Sequence, residues 1–113
     1  MFALLLLLLP ACKPVKAEPL EAEVVITPWP PQVRPSQILI RVPRSLDLVS
    51  VKVVGDMTHA GMIPVEADAV KTEDGVWRVE GFDLNMRGDW ILTITAKDGE
   101  GTKYVKEVRF TIR

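Results

Sequence analysis

Apolar and polar residues alternate with period two through nearly all of the chain beyond residue 20, and this pattern restricts the possible folds more than any other feature. Leu20, Ala22, Val24 and Ile26 share one face, with Glu21 and Glu23 opposite. Ile38, Ile40 and Val42 alternate with Gln37 and Arg41, and Val49, Val51 and Val53 with Ser50 and Lys52. Val65, Ala67 and Ala69 follow, then Trp77 and Val79, then Trp90, Leu92, Ile94 and Ala96, and finally Val108, Phe110 and Ile112. Successive side chains of a strand point to opposite faces, so each run is a strand with one buried side. No stretch of ten or more residues carries the 3.6-residue period of a helix, and no internal repeat is visible.

The segments between the runs have turn chemistry. Thr72-Glu73-Asp74-Gly75 and Lys97-Asp98-Gly99-Glu100-Gly101 read as hairpin connections, because Asp-Gly supplies the positive φ of a tight reversal. Residues 27–35 hold four prolines and are expected to stay out of a central strand. Gly55-Asp56 is expected to end or bulge the strand before it. About seven short strands in one domain-sized chain predict an all-β fold, an immunoglobulin-like (cupredoxin-like) antiparallel β-sandwich.

The first nineteen residues follow a different logic. Six consecutive leucines, Leu4 to Leu9, lead into Pro10-Ala11-Cys12. This apolar run has the length of a signal-peptide hydrophobic region and is far shorter than the roughly 20 residues of a membrane-spanning helix. Leu9-Pro10-Ala11-Cys12 resembles a bacterial lipobox, which implies cleavage before Cys12 and a lipid on its thiol. The other readings are an ordinary cleaved signal and a buried N-terminal strand. The expected organisation is a lipoprotein-type signal peptide over 1–11, a lipid-anchored polar tether over 12–19 and the sandwich over 20–113. Cys12 is the sole cysteine, so no internal disulfide forms. The expected location is extracytoplasmic, on a bacterial membrane. A net charge of −1 argues against a nucleic-acid partner.

Chemistry concentrates in Gly55-Asp56-Met57-Thr58-His59-Ala60-Gly61-Met62-Ile63-Pro64. The chain has one histidine and four methionines, the initiator among them, and this stretch holds His59, Met57 and Met62. Thioether sulfur is a soft, uncharged ligand and imidazole a borderline one, a pair suited to Cu(I). Extended backbone from Met57 to His59 would direct both side chains to one side, and Ala60-Gly61 is small enough to turn the chain. Two readings stand: a metal-ligating rim, or methionine as core filler beside a solvated histidine. Met86, just before the strand beginning at Trp90, either joins that rim or plugs the sandwich beneath Trp90. Trp29, among prolines, either caps the sandwich or docks a partner.

Two stretches resemble the YtkA-like family of small extracytoplasmic β-sandwich domains, related to the FixH-like proteins. The first is Met57-Thr58-His59-Ala60-Gly61-Met62, followed by Gly75-Val76-Trp77. The second, Phe82-Asp83-Leu84-Asn85-Met86-Arg87-Gly88-Asp89-Trp90, fits Phe-x-x-x-Met-x-Gly-x-Trp. Trp77 stands where tyrosine is commoner, and the loop is poorer in Met and His than in richer members. The resemblance implies copper handling and cytochrome oxidase assembly, with Met57, His59 and Met62 as copper ligands and Met86 beside them. The expected function is therefore a membrane-anchored protein that carries or buffers Cu(I) and passes it to a protein partner. The alternative is a metal-free interaction or assembly module of a membrane complex.

Enzymatic chemistry is not expected. One histidine and three serines, Ser36, Ser45 and Ser50, leave little from which to build a nucleophile–base pair. The carboxylates alternate with apolar residues, as solvated strand faces do, and Asp98-Gly99-Glu100-Gly101 lacks the ligand spacing of a calcium loop.

Overall fold

A computed structural model of the chain describes residues 17–58 and 63–113. The described residues form nine strands in two packed sheets: β1 (Glu18–Pro19), β2 (Glu23–Thr27), β3 (Arg34–Arg41), β4 (Leu48–Met57), β5 (Val65–Asp68), β6 (Val70–Glu73), β7 (Val76–Leu84), β8 (Gly88–Asp98) and β9 (Lys103–Ile112). One sheet runs β1-β9-β8-β4-β5 and the other β2-β3-β7-β6. All pairings are antiparallel except the short parallel contact of β1 with β9. The fold is an all-β sandwich.

The alternating residues fill the space between the sheets. Ile38, Ile40, Val53, Leu84, Leu92, Ile94 and Ala96 are fully buried, with Trp90 and Phe82 at 1% exposure. Each buried valine, leucine, isoleucine or phenylalanine side chain among them contributes about 1.5–3 kcal/mol by leaving water. The outward positions carry exposed ion pairs, Lys52–Glu66 at 3.0 Å and Arg109–Glu107 at 3.0 Å among them.

The strand count exceeds the expected seven for two local reasons. The run through Val65, Ala67 and Ala69 does not continue as one strand. β5 pairs with β4 in the first sheet, the chain crosses at buried Ala69, whose N–H donates to the Val51 carbonyl at 2.8 Å, and β6 pairs with β7 in the second. The last two residues of the expected tether, Glu18 and Pro19, already belong to the sheet, opposite Tyr104 and Val105.

Three further expectations change. Val49 is exposed, because a register shift between Leu48 and Ser50 turns Leu48 inward in its place. Gly55-Asp56 neither ends nor bulges β4; Gly55, Asp56 and Met57 continue the ladder opposite Leu92, Ile91 and Trp90. Pro35 lies in β3, a central strand. It sits beyond the last β2 pair, Thr27 with Gln37, so on that flank it meets no ladder that needs its missing N–H.

Both hairpins form. Gly75, at φ 77°, closes β6 onto β7. In the β8–β9 turn the positive φ falls on Gly101 (86°) rather than on Gly99. Asp98 Oδ1 accepts the N–H groups of Glu100 and Thr102, both at 2.9 Å, and organises the reversal.

Candidate functional site: the methionine-bearing end of the sandwich

The strand registers bring four segments to one end of the sandwich. β4 finishes at Met57, which pairs with Trp90 of β8, and Trp90 pairs in turn with Phe110 near the end of β9. Thr58 extends this ladder, its N–H donating to the Asp89 carbonyl at 3.2 Å. β7 ends at Leu84, opposite Arg34 at the start of β3. The β7–β8 connection carrying Met86 therefore shares an end with the β2–β3 connection carrying Trp29 and with the segment leaving Met57.

The two described methionines of this end do different things. Met57 faces inward at 6% exposure and belongs to the hydrophobic core. Its Cε lies so near Gly88 that a Cβ there would stand 2.6 Å away. Its N–H is held by Asp56 Oδ1 at 2.8 Å. Met57 thus packs the sandwich end instead of presenting an open thioether. Met86 is the reverse: the residue is 42% exposed, and its carbonyl accepts the Trp90 indole N–H at 2.9 Å. That hydrogen bond fixes the β7–β8 connection and leaves Met86 outside the hydrophobic core. Met86 does not plug the core beneath Trp90; the connection is tied to the indole through its backbone.

His59 and Met62 lie outside the described residues, as does Cys12. The segment that holds them leaves from Thr58 and returns at Ile63, which is 85% exposed. Among the described residues no three His, Cys, Asp or Glu side chains come together as metal ligands. The donors on offer here are thioethers, with the imidazole of His59 added by sequence alone.

Apolar surface surrounds the same end. Trp29 is 63% exposed and sets its ring edge-on to Phe110, with centroids 6.2 Å apart. It borders the open side of the sandwich and leaves most of its face uncovered, so the capping expectation is met only by this one edge contact. A shallow groove of about 240 Å³ lies between Thr58, Asp89, Ile91, Arg109 and Thr111. The Thr111 hydroxyl donates to Asp89 Oδ1, and Arg87 Nη1 donates to the Arg113 carbonyl at 2.8 Å, which ties the β7–β8 connection to the end of β9.

Sequence reasoning singled out the methionines but missed what separates them. The signal lay in periodicity: Met57 is in phase with Val51 and Val53, the inward face of β4, whereas Met86 falls between β7 and β8.

Comparison with curated proteins and with solved structures finds no match for this chain. Comparison with family models does find one: the YtkA-like model matches residues 15–95, which span every strand from β1 to β7 and most of β8, with Met57 and Met86 included. The chain belongs to the YtkA-like family.

Proposed function

We propose that this domain is an extracytoplasmic, membrane-anchored copper-binding protein that carries or buffers Cu(I) at the methionine-bearing end of its sandwich. One observation carries the reading. Exposed Met86 stands at the end of the fold from which the segment holding His59 and Met62 departs. Two uncharged thioethers and one imidazole make a soft donor set that suits Cu(I) and releases few protons on binding. His59, Met62 and Met86 are the ligands in this reading, and Met57 stays in the core. A site on connecting segments suits cargo, because a partner's ligands can replace one thioether at a time.

The opposite end of the fold suits an anchor. β1 pairs with Tyr104 and Val105, at the start of β9, whereas Phe110 pairs with Trp90 at the methionine-bearing end. Six residues of strand from Tyr104 to Phe110 amount to about 20 Å. A tether from Cys12 would thus hold the far end near the membrane and direct the methionine end toward soluble or membrane-bound partners.

The test is a Cu(I) competition titration against a chromophoric chelator under reducing conditions. We expect one-to-one binding, weakened about tenfold or more by His59→Ala, Met62→Leu and Met86→Leu, and left nearly unchanged by Met57→Leu. Failure to compete with even a weak chelator overturns the reading. The burial of Met57 and the exposure of Ile63, Trp29 and Met86 at one end favour a second reading, a metal-free contact module. That reading gains if copper does not bind.

A further inference from the structure

The side of the sandwich between β2 and β9 is open, and the edge of β9 facing it is paired over only two residues. β1 lies beside Tyr104 and Val105, and the N–H of Leu20 donates to the Val105 carbonyl at 2.9 Å. The chain then leaves for the other sheet as β2, so beyond Val105 no strand among the described residues covers that edge. The N–H and C=O of one strand residue point to the same side, and successive residues alternate. Because Val105 points its carbonyl toward β1, the backbone groups of Glu107, Arg109 and Thr111 point toward the open edge too. No described residue bonds to these groups.

Beside this edge lies an apolar groove of about 350 Å³, lined by Val24, Val25, Ile26, Trp29 and Val108. Val25 is 37% exposed and Trp29 63%, an arrangement that leaves large apolar groups in water beside unpaired backbone. Sandwiches ordinarily protect such an edge with a strand, a bulge or inward charge, and beyond Val105 this edge has only the inward Lys106.

We infer that the β9 edge is a strand-addition site that takes an extended segment of another protein, with aliphatic residues facing the groove and a carboxylate opposite Lys106. The occupant's chemistry follows from the face that it would meet. Lys106, Val108 and Phe110 are in phase on the inward side of β9. Lys106 is half-buried and has no carboxylate partner among the described ion pairs. An added strand running parallel to β9, as β1 does, would meet Lys106, Val108 and Phe110 in that order. Backbone hydrogen bonds would supply affinity, and the groove and Lys106 would supply selectivity. A second copy fits less well, because a twofold axis centred on this edge sets Arg109 opposite itself. Met86 does not line this groove, and strand addition along β9 calls on none of the proposed copper donors, so neither proposal depends on the other.

The probe is an acetylated peptide, Thr-Glu-Thr-Val-Ser-Val-Thr, titrated into the full chain in detergent. Trp29 is the exposed tryptophan while Trp77 and Trp90 are buried, so its emission reports the groove. We expect saturable one-to-one binding with a blue shift and reduced acrylamide quenching, absent in Trp29→Phe but with binding still seen by calorimetry. Arg109→Pro removes an N–H directed at the open edge and leaves the β8 ladder its partners, so it should weaken the peptide about tenfold or more without moving the unfolding midpoint. Lys106→Glu should reverse the preference toward a peptide with lysine in place of glutamate. Absence of binding, binding unaffected by Arg109→Pro, or self-association of the chain that excludes the peptide would each overturn the proposal.

Discussion

Met57 and Trp90 stand directly opposite each other on β4 and β8, both buried, while the carbonyl of exposed Met86 caps the Trp90 indole. One tryptophan thus organises two methionines with opposite roles. Truncation separates them. Met57→Ala removes a core side chain and is expected to cost about 2–4 kcal/mol of stability. Met86→Ala removes a solvent-facing side chain and keeps the carbonyl bond, so its cost is expected within about 0.5 kcal/mol. Urea unfolding of the two variants checks the contrast. Equal costs would mean that Met86 packs as deeply as Met57.

Gly88 explains why Met57 fits. Gly88 holds φ 129°, a conformation that side-chain-bearing residues rarely adopt, and a Cβ there would lie 2.6 Å from the Met57 Cε. Gly88→Ala is expected to destabilise by about 1–3 kcal/mol, mainly through backbone strain. The Met57 methyl is the movable end of its side chain, so the steric share is the smaller one. Unfolding of the double variant Met57→Ala/Gly88→Ala should therefore show a coupling of only about 0.5–1 kcal/mol, the double costing less than the two singles together. Strict additivity would remove the contact from the account.

Much of the fold was legible because the alternation is strict where strands are buried on one face: Ile38 and Ile40, Leu92 and Ile94, Phe110 and Ile112 all point inward as their spacing requires. Legibility ended where tertiary context decides. β6 is exposed at every residue, so its sequence, Val-Lys-Thr-Glu, carries no buried face to announce it. β1 is two residues long and owes its existence to the β9 edge. Val49 reads as inward by periodicity, and only the register shift after Leu48 expels it. At the methionine end the donor types were legible, and exposure was legible only through the phase of β4. Met57 and Met86 are chemically identical, and the phase of β4 alone buries one of them.

Gly55 shows how a small residue can be misread from sequence. It sits in mid-ladder on β4, and a Cβ there would lie 2.9 Å from Cε2 and Cζ of Phe82, which belongs to the opposite sheet, and 3.2 Å from Leu92 Cδ2. The glycine lets the Phe82 ring lie against the β4 backbone. Phe82 is 1% exposed, so its ring would have to shift within the core. Gly55→Ala is expected to cost about 1–3 kcal/mol by overpacking, measured as a lower denaturation midpoint. A neutral or stabilising outcome would show that the sheets separate freely at this point.

The β8–β9 turn gives the fold a pH dependence of predictable sign. Partial burial works to raise the Asp98 pKa, but hydrogen bonds from the Thr102 and Glu100 N–H groups, the Tyr104 hydroxyl and the Thr102 side chain outweigh it, and the net shift is downward. Tyr104 donates to Asp98 Oδ2 at 3.2 Å; burial, then this bond and nearby carboxylates, push its own pKa upward. A carboxyl whose pKa is depressed by folding contributes stability above its unfolded value, near 3.9, and loses it as pH falls through the lower folded value. A phenol whose pKa is raised contributes below its unfolded value, near 10, and loses that contribution as pH rises through the higher folded value. Asp98→Asn should therefore be less stable than the parent at neutral pH, with the difference shrinking below about pH 4 as the parent's carboxylate becomes protonated. Tyr104→Phe should narrow its own deficit only above about pH 10. Thermal unfolding of the three proteins at pH 3, 7 and 10.5 separates the two contributions. An Asp98→Asn deficit that stays constant from neutral to acid pH would mean that the turn is held by geometry the amide reproduces equally badly in both forms, and not by the ionised carboxylate.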